Sequence, residues 1–161
     1  MKAANATRYE AGLISSLDRL RDVSSDDLEG VWQATFEVLA WLYLCEQAEQ
    51  QPNEKAYFAH RRGVPGGRAL GGLIRLRGLV VHHQVDFQKL APVPATVGGI
   101  PITLGGVPVT VGSQAVWPPR RASDPWPAKQ KDERVEMYDA EVAENPLLDP
   151  LERACKYLLS R

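Results

Sequence analysis

Cysteine is nearly absent from this 161-residue chain: Cys45 and Cys155 are its two, too few and too isolated for a disulfide framework. Each falls in a helical pattern, where a buried free thiol is the expected state. Long hydrophobic runs are also missing. The longest, Val38 to Cys45, spans eight residues, against the roughly 20 that a membrane span requires. The first residues, Met1 to Arg8, carry no apolar segment behind their charge, so no secretory signal is expected and a cytoplasmic location is. No Ser/His/Asp order or zinc-finger spacing occurs, and Gly63 to Gly72 lacks the lysine and hydroxyl residue of a nucleotide-binding loop. Histidines number three, and the adjacent pair His82-His83 would diverge by about 100° on a helix with no third ligand in view. Neither a metal nor another cofactor is therefore expected.

What is present is the composition of an ordinary globular domain, 44% hydrophobic and 24% charged, and the length fits one domain over residues 1–161. The net charge of −1 conceals a segregation. Residues 55–89 hold seven basic residues against one acid, Asp86, while the rest of the chain holds 12 basic and 19 acidic residues. An acidic body with one basic segment points to a local anion-binding surface. The alternative is a face neutralised by acids from other helices.

Apolar periodicity predicts a mostly α fold. Tyr9, Leu13, Leu17 and Leu20 mark a helix over about 7–22. Ser24-Ser25-Asp26-Asp27 reads as the capped start of a second, whose stripe from Leu28 to Tyr43 runs to about Glu49. A short helix near 54–60 is followed by a loop at Gly63 to Gly67, and a third main helix runs from Arg68 to about Val85. Within that helix Gly71, Gly72 and Gly78 each cost up to about 1 kcal/mol against alanine, so close approach of another backbone is expected, and a twofold partner would supply one. Two further helices are expected at about 129–143 and 150–160, the last with Asp149 as N-cap and Pro150 at its first position.

Between these helices, at about 92–128, lies a proline-rich connection containing a repeat. Gly98-Gly99-Ile100-Pro101-Ile102-Thr103-Leu104 is followed by Gly105-Gly106-Val107-Pro108-Val109-Thr110-Val111. Two such units joined by Gly-Gly predict an inserted two-stranded β-hairpin at about 97–112, with Leu104 opposite Val107, Thr103 opposite Pro108 and Pro101 opposite Thr110. Period-two alternation puts Ile100, Ile102, Leu104, Val107, Val109 and Val111 on one face and the prolines and threonines on the other. The aliphatic face is expected to cover the protein's own bundle, with a partner interface as the alternative.

The chemistry-bearing stretch is Arg75-Leu76-Arg77-Gly78-Leu79-Val80-Val81-His82-His83. An arginine near a histidine can stabilise charge on a phosphate while the imidazole moves a proton. On a helical wheel Arg68, Arg75 and His82 share one stripe with Gly71 and Gly78, while Arg77 lies about 140° from His82. Alternatively, Arg75 and Arg77 pair with Glu37 or Glu46 of the second helix, and His82 and His83 cap a helix end.

An apolar helix carrying Arg77-x4-His82, preceded by a long helix, resembles the HEPN superfamily, small helical bundles many of which are ribonucleases. The resemblance covers about 7–89 and 130–160. It implies a HEPN-like helical bundle and a metal-independent endoribonuclease of the toxin or defence kind, with an antitoxin protein and a homodimer as partners. RNA, transfer RNA among the candidates, would be the substrate, and no DNA or membrane the target. Arg77 and His82 would be catalytic, at a cleft shared by two subunits, with Arg75, His83 and Arg68 binding substrate. Gly78 departs from the family's ribonucleases, which carry a polar residue after the arginine. The second reading is therefore a HEPN-like bundle without catalysis, serving RNA binding or protein interaction.

Overall fold

A computed structural model describes residues 2–24, 26–50, 53–83, 89–120 and 133–161. The described helices are α1 (Lys2–Asp22), α2 (Leu28–Gln50), α3 (Glu54–Gly63), α4 (Pro65–His83), α5 (Glu133–Glu141) and α6 (Leu148–Leu159). They bury one core, built from Leu13, Leu39, Leu42, Leu70, Leu73 and Leu151 with their neighbours. The protein is mostly helical, as the periodicity predicts. Among the described residues no helix is long and apolar enough to cross a membrane.

Local caps set several boundaries. The Asp27 side chain accepts the Gly30 N–H at 2.9 Å, closing the start of α2, and Asn53 accepts the Ala56 N–H at 3.1 Å at the start of α3. The loop expected at Gly63 to Gly67 shrinks to a single extended residue, Val64 (φ −130°, ψ 142°). Pro65 restarts the helix, a place where its missing N–H costs nothing. Asp149 is not the N-cap of α6: the helix begins one residue earlier, at Leu148, and Asp149 accepts from Arg153 Nε at 3.1 Å within the first turn.

Several glycines of α4 meet the protein's own helices, which supplies the close backbone approach expected of them. A Cβ on Gly67 would stand 2.4 Å from the Arg61 carbonyl oxygen of α3, and one on Gly72 would stand 2.7 Å from Tyr138 Cα of α5. Gly78, by contrast, has nothing within 4 Å. Gly72→Ala is thus expected to destabilise the fold by about 1–3 kcal/mol through overpacking against fixed backbone. Gly78→Ala is expected to stabilise it by up to about 1 kcal/mol, the helix-propensity gain alone. Urea denaturation of the two variants measures both.

The connection between α4 and α5 is a three-legged arm instead of one hairpin. Strand β1 (Lys89–Pro94) pairs antiparallel with β6 (Thr110–Val116) to form a stem. Beyond the stem, β2 (Thr96–Val97) pairs with β3 (Ile100–Pro101), and β4 (Thr103–Leu104) with β5 (Val107–Pro108). The register Leu104↔Val107 and Thr103↔Pro108 is the predicted one. Pro101, however, pairs with Thr96, and Thr110 pairs with Pro94.

The reason lies in the glycine pairs. Gly98 and Gly99 take φ of 59° and 82°, and Gly105 and Gly106 take 58° and 83°. Two positive φ values in succession make a type I′ turn, which closes a hairpin over two residues. Each Gly-Gly therefore closes its own leg, at less loop entropy than a longer closure. At the junction Ile102 N donates to Ala95 O at 2.8 Å, Val109 N to Ile102 O at 2.9 Å, and Ala95 N to Val109 O at 2.7 Å. These three residues each sit between a proline and a threonine, so the seven-residue sequence repeat becomes a threefold hydrogen-bonded ring.

Trp117 roots the stem. It is fully buried, and its indole N–H donates to the Leu147 carbonyl at 3.0 Å. The Trp117 backbone bonds Asn145 O at 3.1 Å and Glu144 N at 2.8 Å, around an isolated antiparallel bridge between Val116 and Pro146 that ties the turn before α6 to β6. Glu144 takes φ 61° there, a left-handed conformation that the turn imposes.

Candidate functional site

The sequence places its chemistry on α4, and α4 distributes those residues unequally. Arg68 Nε lies 2.9 Å from Glu141 Oε1, and Glu141 also holds Arg153 at 2.8 Å. Arg75 is half-buried and has interactions of its own. His82 and His83 form the last two residues of the helix, and their side chains lie outside the described residues.

Arg77 is the distinctive one. Its guanidinium carbon lies 4.4 Å from the centroid of the Tyr43 ring on α2, a stacking that Arg favours over Lys because its head is planar and weakly hydrated. Stacking occupies the flat face and leaves the edge N–H groups to donate. Among the described residues no carboxylate pairs with it, and its buried Nε, like those of Arg61, Arg68 and Arg75, has no hydrogen-bond acceptor there.

The rest of the basic segment is largely matched by acids of other helices. Arg61 pairs with Glu46, Arg62 with Glu133 at 3.0 Å, and Arg68 with Glu141. Glu37 and Glu46, the acids suggested for Arg75 and Arg77, pair with Arg19 and Arg61. Of the arginines of the segment, Arg77 is the one on α4 over an aromatic ring with no ion pair among the described residues.

A second polar centre joins α2, α3 and α6. Glu46 and Arg61 are both buried, Tyr57 Oη donates to Glu46 at 3.4 Å, and the Arg61 guanidinium lies 4.6 Å over the Phe58 ring. Burial pushes the Glu46 carboxyl above the usual carboxylate range, while Arg61 and Tyr57 pull it back. Outside this pair, Arg161 Nη1 donates to Tyr157 Oη at 2.6 Å, and His60 Nδ1 stands 3.2 Å from the same hydroxyl. His60 stacks on the Tyr157 ring at 5.6 Å. Burial raises the Tyr157 phenol, with Arg161 opposing.

The α2 stripe held one signal for this centre: Glu46 stands four residues after Leu42, on a core-facing position where an unpaired carboxylate would be prohibitive. His60 had no such mark. The network reads as a clamp holding α2, α3 and α6 together, since Glu46, Arg61, Tyr57, His60, Tyr157 and Arg161 are engaged with one another.

Both cysteines are free and buried, and burial pushes their thiols up to about 11 for Cys45 and about 12 for Cys155. Their thiolate fraction near neutrality is negligible, so neither is a nucleophile. A groove of about 240 Å³ between α1 and α6 is lined by Leu13, Ile14, Leu17, Cys155 and Leu159 among others. No residue of α4 lines it.

Comparison of the chain with protein-family models, with curated proteins and with solved structures yields no match in any of the three.

Proposed function

We propose that this is a HEPN-like helical protein that binds RNA at the C-terminal half of α4, and that it acts there as a metal-independent endoribonuclease. The observation that carries this reading is Arg77: a guanidinium lying over the Tyr43 ring, with no carboxylate partner among the described residues, five positions before His82. Such a group suits a phosphate oxygen, which accepts from edge N–H groups without displacing the stacked ring.

In the proposed step, His82 takes the proton of an RNA 2′-hydroxyl as that oxygen attacks the adjacent phosphorus. The bond to the 5′-oxygen breaks, and this leaving oxygen takes up a proton from the imidazolium or from water. Arg77 binds the scissile phosphate and stabilises the charge it gains. The need for a 2′-hydroxyl spares DNA. The HEPN resemblance supplies a homodimer, a cytoplasmic setting, and an antitoxin protein as a further partner.

Labelled transfer RNA incubated with chelator tests this. Arg77→Ala and His82→Ala are each expected to lower cleavage by about 10²-fold, and Arg75→Ala to lower it less. Absence of cleavage by the unaltered protein, or cleavage that survives His82→Ala, overturns the nuclease reading. The second reading, an RNA-binding or protein-interaction bundle without catalysis, is favoured by Gly78, beside which nothing lies within 4 Å to orient a base or phosphate. It expects Arg77-dependent RNA binding in fluorescence anisotropy with no product.

A further inference from the structure

The three-legged arm exposes an apolar surface that the bundle does not use. Alternation along the strands puts Val97, Ile100, Ile102, Leu104, Val107, Val109 and Val111 on one face, and these side chains are between 37% and 79% exposed. The sequence expectation was that this face covers the bundle. Instead the junction lifts it into solvent, because each leg closes on itself and reaches the helices only through the stem and Trp117.

We propose that this aliphatic face is a self-association surface, which docks face to face on the same disc of a second copy of this chain. Three observations select that occupant. First, from Leu90 to Pro119 the chain has no charged residue. The disc therefore has no charge with which to recognise a nucleic acid, a charged protein or an anionic headgroup. Its one aromatic, Trp117, is buried at the root, which leaves the disc without the exposed Trp, Phe, Lys or Arg that anchor an interfacial membrane segment.

Second, the area fits a dimer. The seven side chains expose roughly 700 Å² of apolar surface, more than the largest patch of a typical monomer, so two discs would bury at most about 1,400 Å², an upper bound that falls within the range of stable interfaces. A twofold contact demands a patch complementary to itself, and a uniformly aliphatic disc meets that demand. Third, the strand edges resist lateral growth. Pro92 and Pro94 in the stem, Pro101 in the second leg and Pro108 in the third put at least one residue without an N–H in each leg, which disfavours edge-to-edge strand addition and leaves the face as the route of association.

Threonine 103 and leucine 104 are sequence neighbours on opposite faces, and so are Thr96 and Val97, which sets up a matched test. Ile100→Glu/Leu104→Glu puts charge on the aliphatic face; Thr96→Glu/Thr103→Glu puts the same charge on the other. All four sites are exposed, so circular dichroism is expected to match the unaltered protein in both variants. In sedimentation velocity the unaltered protein and the threonine variant are expected at twice 17.8 kDa. The Ile100/Leu104 variant is expected at 17.8 kDa, with dimer dissociation raised at least about 30-fold. A monomeric unaltered protein, a dimer that survives the Ile100/Leu104 change, or equal loss in both variants overturns the proposal. So does flotation of a monomeric protein with phosphatidylcholine vesicles, which would make lipid the occupant. Arg77→Ala is expected to keep the disc dimer, so the RNA reading and this one fail separately.

Discussion

Glu46→Ala is expected to destabilise the protein by about 3–5 kcal/mol, because it strands the Arg61 guanidinium in the core without its counter-ion. Both side chains are almost wholly shielded from water, at 2% and 5% exposed. The neighbourhood offers little relief: Phe58 covers one side of the guanidinium, and a Cβ at Gly71 would already stand 3.6 Å from its Cζ. Tyr57 loses its acceptor in the same change. In urea a loss of this size moves the midpoint by about 2 M for a domain of this length. Glu46→Gln, which keeps volume and an acceptor oxygen, is expected to cost less. Glu46→Leu combined with Arg61→Met is expected to be close to neutral or stabilising, since two buried charges leave together. A double variant no more stable than Glu46→Ala alone would contradict the pairing.

Trp117→Ala is expected to cost a similar 3–5 kcal/mol, from a different cause. Trp117 is the largest of the fully buried side chains and carries the arm into the bundle. Its removal opens a cavity beneath the stem and frees the Leu147 carbonyl that its indole N–H satisfies. The backbone bonds between residues 115–117 and 144–147 then lose the side chain that seats them. Trp117→Phe keeps most of the volume and gives up the hydrogen bond, for about 1–1.5 kcal/mol beyond the small loss of area. Chemical denaturation of both variants separates the packing from the bond. Equal effects of phenylalanine and alanine would mean that the hydrogen bond, not the volume, roots the arm.

Periodicity made the helices legible, since an apolar stripe at spacings of three and four marks both an element and its buried face. Leu13, Leu39, Leu42, Leu70 and Leu73 are core residues on that ground alone. Short-range turn chemistry was half legible. Gly105-Gly106 announced its hairpin, and Gly98-Gly99 carried the same announcement, but reading the repeat as two strands of one ribbon assigned it a different pairing. The glycines of α4 were visible as a cost that needed a cause; that for Gly71 and Gly72 the cause was α3 and α5 of the same chain was not.

The candidate site was legible as residue types and only partly as geometry. Helical phase set Arg77 apart from His82, and the structure lays Arg77 on Tyr43, a residue 34 positions earlier. The partners of Arg61, Arg62 and Arg68 come from 15, 71 and 73 positions away. Charge counting exposed the basic segment but not which cations were already matched.

The sequence by itself determined what local interactions determine: the helices, their apolar faces, the turn-forming glycine pairs, the two inert thiols and the arginine–histidine run. Tertiary structure decided which cation meets which acid, why α4 tolerates its glycines, and that the arm branches into three legs and holds its aliphatic face away from the helices. The physical reason is separation along the chain. Helix periodicity and turn chemistry act over a few residues, whereas an ion pair, a close backbone approach or a hydrogen-bonded ring depends on how whole elements come to rest against one another.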